Sequence, residues 1–507
     1  MKKNVPSTTT LLVVVTFLLL FGMAARTPLD SDLFWHLRAG EETLRSGRPL
    51  LVDLFSHTRA GQPWINHSWL SQVGLALLLR AGGYLALGAV MAGLATLSML
   101  LVYLQCEGPA ALKAFALILG GVVASVVWVA RPQLVSLVLM ALVSYLLYLY
   151  KWRGLDRLWL LPLVFALWSN LHGGYVLGLL LIAAMLGGET LNHLLARRGP
   201  AVLAWARVGR LLAWTLAAIL AVLVNPNGLN TWLIPFQTVN VGVLQQFISE
   251  WASPDFHDPL QQSLLWLLLG TFAAVGLSKR ELDGTDLLTF CGLAYLALLA
   301  RRNYGPFALA AVPILVRHLA CVLEDWRGQN LGAFFKREPR PIPSPPLPTV
   351  LEPDYSSPPL WQRILNLSIA ALLALVIMLK LVVVTHPALV GSYLEQQFPV
   401  QAVAWLAENQ PAGRLLNEYN WGGYLQWSLP GSPVFVDGRT DLFGDQVIGD
   451  WMTLVGAGPG WQEQFARYPI DLVLLEPSRP LLSALHEQGW QRIYADQQAV
   501  IYARPGW

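Results

Sequence analysis

Long uninterrupted apolar runs constrain this chain more than any other feature. Leu11–Ala25, Tyr84–Leu104, Leu134–Tyr150, Leu211–Val224 and Ile364–Val384 come close to the roughly 20 apolar residues that a helix needs to cross a bilayer. The rest of the chain lacks the charge to surface ordinary soluble domains. Only 13% of its 507 residues are charged and 55% are hydrophobic, against about 25% charge in soluble proteins. The expectation is therefore a polytopic α-helical membrane protein. A net charge of +3 also excludes nucleic acid as a partner, because nucleic acid is bound through concentrated basic surface. Cys106, Cys291 and Cys321 lie in or beside apolar segments, and their spacing forms neither a disulfide framework nor a zinc site.

Apolar windows bounded by charge or by Gly and Pro predict about eleven spans, near 8–25, 84–104, 110–130, 134–150, 158–170, 175–188, 211–224, 263–277, 285–300, 305–320 and 364–385. With the N-terminus inside, the cytoplasmic segments hold Lys2, Lys3, Lys113, Lys151, Arg153, Arg157, Arg197, Arg198, Arg207, Arg210, Lys279, Arg280 and the cations of 327–363, which satisfies the positive-inside rule. Reading 158–188 as one span would reverse everything after it, so a turn at Ser169–Gly174 is expected on the outer face. Lys2-Lys3 and the apolar run ending Met23-Ala24-Ala25 also resemble a secretory signal peptide, whose cleavage would leave the remaining topology unchanged. The expected organisation is a membrane domain over 1–326 with a first outer loop at 26–83, a Pro-rich cytoplasmic linker over 327–363, a last span at 364–385 and a small extracytoplasmic α/β domain over 386–507. In that domain, helices are expected at Pro399–Asn409, Asp445–Leu454, Gln462–Tyr468 and Leu481–Gln488. Strands are expected at Gly413–Asn417, Pro433–Val436 and Asp471–Leu475, with a hairpin over Gln491–Ala503.

Ionisable groups at span ends are either interfacial anchors or functional. This topology brings Asp30, Asp32, His36, His67, Arg131, His172, Arg301 and Arg302 to the outer face. Asp32 and His36 stand i, i+4, on one face of an amphipathic helix if it starts early enough. Such a pair could share a proton or, with Asp30, hold a divalent cation such as Mg2+ or Mn2+. The competing reading is a helix cap. For Arg301 and Arg302 the competing reading is a pair of anchors. Neighbours on a helix point about 100° apart, however, so one can face the bundle while the other faces lipid headgroups.

At these residues the sequence resembles the GT-C fold glycosyltransferases: protein O-mannosyltransferases, aminoarabinose transferases and oligosaccharyltransferase catalytic subunits. The segments that carry the likeness are Asp30–Gly40, Trp64–Leu70 with Asn66 and His67, Ala130–Gln133, Asn170–Gly174, Arg301–Asn303, Asn417–Leu425 and Val436–Asp441. They look like a bacterial branch of that superfamily. The resemblance implies an inverting transferase of the cytoplasmic membrane that moves a hexosyl or pentosyl group from a polyprenyl-phosphate-linked sugar to a glycan, lipid or protein acceptor. It places Asp32 or Asp30, assisted by His36, as acid/base or metal ligand. It places Arg301, Arg302, Arg131, His172, His67 and Asn66 toward the lipid phosphate, and Trp421, Tyr424, Asp437 and Arg439 on the acceptor side. Trp421-Gly422-Gly423-Tyr424 is weakly similar to the Trp-Trp-Asp-Tyr-Gly acceptor motif of oligosaccharyltransferases, but Gly422 stands where that motif has its Asp, which argues against a peptide sequon. The physics of phosphate-linked transfer fits independently, since it needs a base, charge stabilisation for the departing phosphate and a water-poor site. A transporter of lipid-linked saccharide would instead place its polar groups near the midplane on broken helices, in paired halves. A non-catalytic surface-assembly protein would need only the C-terminal domain as a docking module.

Overall fold

The computed structural model describes residues 8–197, 199, 201–239, 242, 248–328 and 359–506. Every expected span contains a helix. In chain order these are α1 (Thr8–Ala24), then, after the outer-loop helix α2 (Leu33–Ser46), α3 (Trp69–Tyr103), α4 (Ala110–Ala124), α5 (Gln133–Trp152), α6 (Leu160–Leu171), α7 (Tyr175–Leu194), α8 (Trp205–Ala221), α9 (Gln262–Leu277), α10 (Gly284–Leu299), α11 (Tyr304–Gly328) and α12 (Leu360–Val384). Among the described residues, six helices are long and apolar enough to cross a membrane by length and composition. The turn expected at 169–174 separates α6 from α7. Most of the Pro-rich linker, 329–358, lies outside the described residues.

One boundary differs from the expectation. Helix α3 begins inside the first outer loop, at Trp69, and is interrupted at Gly82-Gly83, where Gly83 adopts φ +60° and ψ −151°, a conformation open essentially to glycine alone. The part before the break packs along α2, and Gly40 lets the two approach: a Cβ there would collide with the Gln72 carbonyl. Helix α11 is the strut of the bundle, with 83% of its apolar window buried, whereas α12 buries 11% and lies outside. At the end of α5 away from the first outer loop, Lys151 is fully buried and ion-paired with Glu189 of α7 and with Asp283, 3.0 Å away, which caps α10. Asn192 and the Leu203 amide complete that network. A buried charge is tolerable only when satisfied in this way.

The C-terminal domain follows α12 with α13 (Pro387–Gln397) and α14 (Val400–Asn409). Its sheet is built from β1 (Leu415–Asn417), β2 (Leu472–Leu475), β3 (Gln491–Ala495) and β4 (Val500–Ala503), in the order β1-β2-β4-β3. β1 and β2 are parallel; β4 is antiparallel to β2 and β3. Helices α15 (Gly422–Ser428), α16 (Thr440–Val455), α17 (Trp461–Arg467) and α18 (Pro480–Glu487) cover it. The strand expected at Pro433–Val436 does not join this sheet. Val434 pairs instead with the first outer loop, donating to the Phe55 carbonyl at 3.0 Å and accepting from the His57 amide at 3.0 Å. Helix α15 lies against α2. A Cβ on Gly423 would stand 2.8 Å from the Ser31 carbonyl, and Phe34, Phe398 and Tyr424 close an aromatic cluster with centroids 5.0–5.2 Å apart.

The first outer loop and the C-terminal domain therefore form one packed unit at one end of the bundle. Ser46 and Ser478 are both exposed on it. Single cysteines at these positions, in a background lacking Cys106, Cys291 and Cys321, are expected to react with an impermeant maleimide from the same side of intact cells. Labelling from opposite sides would contradict the packing.

Candidate active site

The same end of the bundle holds a cavity of about 720 Å³, enclosed by the membrane helices and the C-terminal domain. Of the eight ionisable residues expected at the outer face, Asp32, His36, His67, Arg131, His172 and Arg302 line it. Asp30 stands behind the wall and Arg301 does not reach it.

Asp32 precedes α2 but does not cap it with its side chain. Asp30 takes the local role instead, its carboxylate accepting the Asp32 amide at 2.9 Å. Asp30 also holds Arg131 in a two-pronged contact, Nε at 2.5 Å and Nη2 at 2.9 Å. Arg131 sits in the tight turn before α5 and reaches Asp32 at 3.1 Å and Glu250 at 2.8 Å. One guanidinium thus serves three carboxylates. Burial pushes the Asp32 carboxyl up to about 7, against the pull of Arg131 and with Asp30 and Glu250 adding to the rise. Burial also holds His36, His67 and His172 below the ordinary imidazole range, with Arg131 contributing at His36 and Arg302 at His67 and His172. Burial thus favours the neutral form of all three rings.

The arginine pair separates as neighbours on a helix should. Arg302 faces the cavity and lies over the Trp251 ring, 4.3 Å from its centroid. Arg301 does not line the cavity, and its backbone amide donates to the Ala252 carbonyl. Asp30 and Asp32 are turned onto Arg131, His36 directs Nδ1 toward Gln72, and among the described residues no group of three or more His, Cys, Asp and Glu is arranged to hold a metal ion.

Five further residues of the expected site do not line the cavity. Asn66 is buried in reciprocal amide hydrogen bonds with Gln72. Trp421 and Tyr424 pack in the domain interior and against α2. Asp437 and Arg439 are buried partners of each other, and Arg439 Nη1 reaches Asp53 of the outer loop at 2.7 Å. Their polarity serves the junction between the two halves. The domain side of the cavity is formed instead by Tyr419, Asn420, Gly438, Thr440, Asp441 and Arg479, and the membrane side adds Glu250. The Asp437-Gly438-Arg439-Thr440-Asp441 segment signalled the region but not which members face inward; Glu250 carried no motif.

No family model and no curated protein matches the chain. Solved structures do. The oligosaccharyltransferase of Archaeoglobus fulgidus, tethered to an acceptor peptide containing the NVT sequon, is similar at TM-score 0.52 and 12% identity over 91% of this chain and 68% of that one. The Archaeoglobus fulgidus oligosaccharyltransferase AglB in complex with an inhibitory peptide and a dolichol-phosphate gives 0.51 at 12% identity, over 91% and 69%. ArnT from Cupriavidus metallidurans in the apo state gives 0.50 at 14% identity, over 97% of each chain. The chain has the GT-C fold, a helical membrane bundle with a small C-terminal α/β domain.

Replacing Arg131 by Met would leave Asp30, Asp32 and Glu250 without their shared cation. Arg131→Met is expected to lower unfolding stability in detergent by about 2–3 kcal/mol, the scale of lost charge-assisted hydrogen bonds. Adding Asp30→Asn should recover part of the loss. Additive losses in the double variant would show that the two residues do not act together.

Proposed function

We propose that this protein is an integral-membrane glycosyltransferase that moves a sugar from a polyprenyl-phosphate-linked donor to an extracytoplasmic acceptor in this cavity. The observation that carries the reading is the convergence of a carboxyl poised near neutrality, Asp32, with an inward arginine, Arg302, and neutral imidazoles in one cavity of a GT-C fold. The dolichol-phosphate in the complex of the similar oligosaccharyltransferase supports the same ligand chemistry. The positive-inside distribution of Lys and Arg supports a cytoplasmic N-terminus in the cell membrane, with the cavity facing out.

In this reading Asp32 removes the proton from the acceptor hydroxyl or amine as it attacks the anomeric carbon. The new bond forms opposite the breaking bond to the phosphate oxygen, so configuration inverts, and the departing electron pair stays on the phosphate. Arg302 supplies the charge that stabilises it. Asp30 and Glu250 act through Arg131, holding its guanidinium beside Asp32. The acceptor enters on the side of Asn420, Thr440 and Asp441. Gly422, which replaces the acidic residue of the oligosaccharyltransferase motif, is pressed against the Val436 carbonyl, which supports a glycan, lipid or non-sequon acceptor.

The reading is tested in proteoliposomes with a panel of undecaprenyl-phosphate-linked hexoses and pentoses, measuring release of free undecaprenyl phosphate; no release with any donor contradicts it. A base with its pKa near 7 works only when deprotonated. Activity should therefore rise tenfold per pH unit below about 7 and level off above it, at the Asp32 value. Asp32→Asn should lose about 10²–10⁴-fold, as expected for a general base; a folded Asn variant of near-normal activity would remove Asp32 from the chemistry.

Lys keeps the charge but neither the planar fork nor the stacking on Trp251. Arg302→Lys is expected to raise the donor KM about tenfold, the difference between a forked and a point-charge contact. Arg301→Lys should change it little. Equal behaviour of the two would assign the phosphate elsewhere.

A further inference from the structure

The three imidazoles of the cavity are not equivalent, and His172 is the one whose tautomer the surrounding donors dictate. Trp168, buried in α6, has an indole N–H that can only donate, and it donates to Ser136 Oγ at 2.7 Å. Ser136 Oγ lies 2.8 Å from His172 Nδ1. The Gly174 amide, likewise only a donor, is directed at the same nitrogen from 3.1 Å. A nitrogen that receives an amide N–H presents a lone pair, so the ring proton of neutral His172 resides on Nε2 and the Ser136 hydroxyl hydrogen is turned to Nδ1. Among the described residues Nε2 has no hydrogen-bond partner, and the ring lines the cavity together with Arg302.

The cradle is built for this arrangement. A Cβ at position 174 would stand 2.9 Å from Ser136 Cβ and 3.0 Å from His172 Nδ1, so the amide could not approach from any residue but glycine. At position 173 a Cβ would press on Ile234 at 2.9 Å and on the His67 ring at 3.3 Å. The His172-Gly173-Gly174 sequence is thereby accounted for by close approach.

We propose that Ser136, Trp168 and Gly174 are positioning residues that hold His172 as a neutral Nε2–H donor to the phosphate of the polyprenyl carrier, beside Arg302. The inference rests on the lipid-phosphate reading of the cavity. Its chemical sense lies in the neighbouring base. A neutral donor adds a hydrogen bond to the departing phosphate without adding a positive charge, which would draw down the basicity of Asp32. Arg302 supplies charge and His172 supplies direction.

The test uses the full-length protein in detergent and farnesyl phosphate as the probe, with farnesol, the same tail without phosphate, as control. The amide nitrogen of Gln can take the place of Nε2, and that of Asn the place of Nδ1. His172→Gln is therefore expected to bind farnesyl phosphate within about threefold of the parent, and His172→Asn about tenfold more weakly, while Ser136→Ala loses about fivefold, the order of one hydrogen bond. Farnesol binding should be unchanged in all three. In parallel, NMR of protein labelled with 15N-histidine, assigned through the His172→Gln variant, should show an unprotonated Nδ1 and a protonated Nε2. A protonated Nδ1 overturns the proposal. So does parent-like binding of farnesyl phosphate by His172→Asn and Ser136→Ala, or an equal loss of farnesol, which would reveal general disruption of the pocket. If the parent itself does not bind farnesyl phosphate, the lipid-phosphate reading has failed and this proposal fails with it. If the parent binds and the variants bind equally, only the role of His172 has failed.

Discussion

The buried guanidinium of Arg439 is the ionic contact at the centre of the seam between the first outer loop and the C-terminal domain, which backbone pairing at Val434 and the Phe34–Phe398–Tyr424 cluster also hold. It is held by Asp437 in the C-terminal domain and by Asp53 in the first outer loop, under the rings of Trp64, Phe55 and Phe443. Removing one partner from such a buried set costs about 3–5 kcal/mol, because the others remain as uncompensated charge. Gly438, between the two clamping residues, is pressed so closely on Asp32 that a Cβ there would collide with Asp32 Oδ1. The clamp thus covers the carboxyl that the proposed chemistry uses, and the loss of water there is the first cause of its raised pKa.

The electrostatics around Asp32 follow from one cation, Arg131, being shared among three acids. Arg131 faces Asp30, Asp32 and Glu250, so no one carboxylate receives its full compensation. Asp30 has the closest and two-pronged share. Asp32 has one contact with Arg131 and two like charges nearby, Asp30 and Glu250, and for it desolvation outweighs attraction. Two acids two residues apart are thereby placed differently, one orienting the arginine and the other facing the cavity, where the proposed chemistry needs its base.

Much of this was legible from the chain. The helices could be read because hydrocarbon burial selects long apolar runs, and the gathering of the ionisable set at one end of the bundle because those residues fall at span ends of the same parity. The inward member of the Arg301-Arg302 pair could not be chosen from sequence, since a short turn decides it. Asn66, Trp421, Tyr424, Asp437 and Arg439 belong to segments that do form the site, yet their side chains fasten the loop, the domain and the bundle to one another. Sequence order cannot tell a polar residue facing a cavity from its neighbour facing a junction. Glu250 escaped notice because its place opposite Arg131 is a product of tertiary structure alone. Lys151, counted among the loop cations, is a buried ion-pair partner.

The central claim is that a lipid-linked phosphate enters the cavity between Arg302 and His172 while Asp32 faces the acceptor side. A cryo-electron microscopy structure of the protein in nanodiscs with undecaprenyl phosphate tests it most directly. The account predicts density for the phosphate within hydrogen-bonding distance of the Arg302 guanidinium and His172 Nε2, with the isoprenoid tail leaving along the apolar wall at Val176, Leu177 and Ile234. A phosphate bound at another surface of the bundle, with neither Arg302 nor His172 in contact with it, would contradict the account.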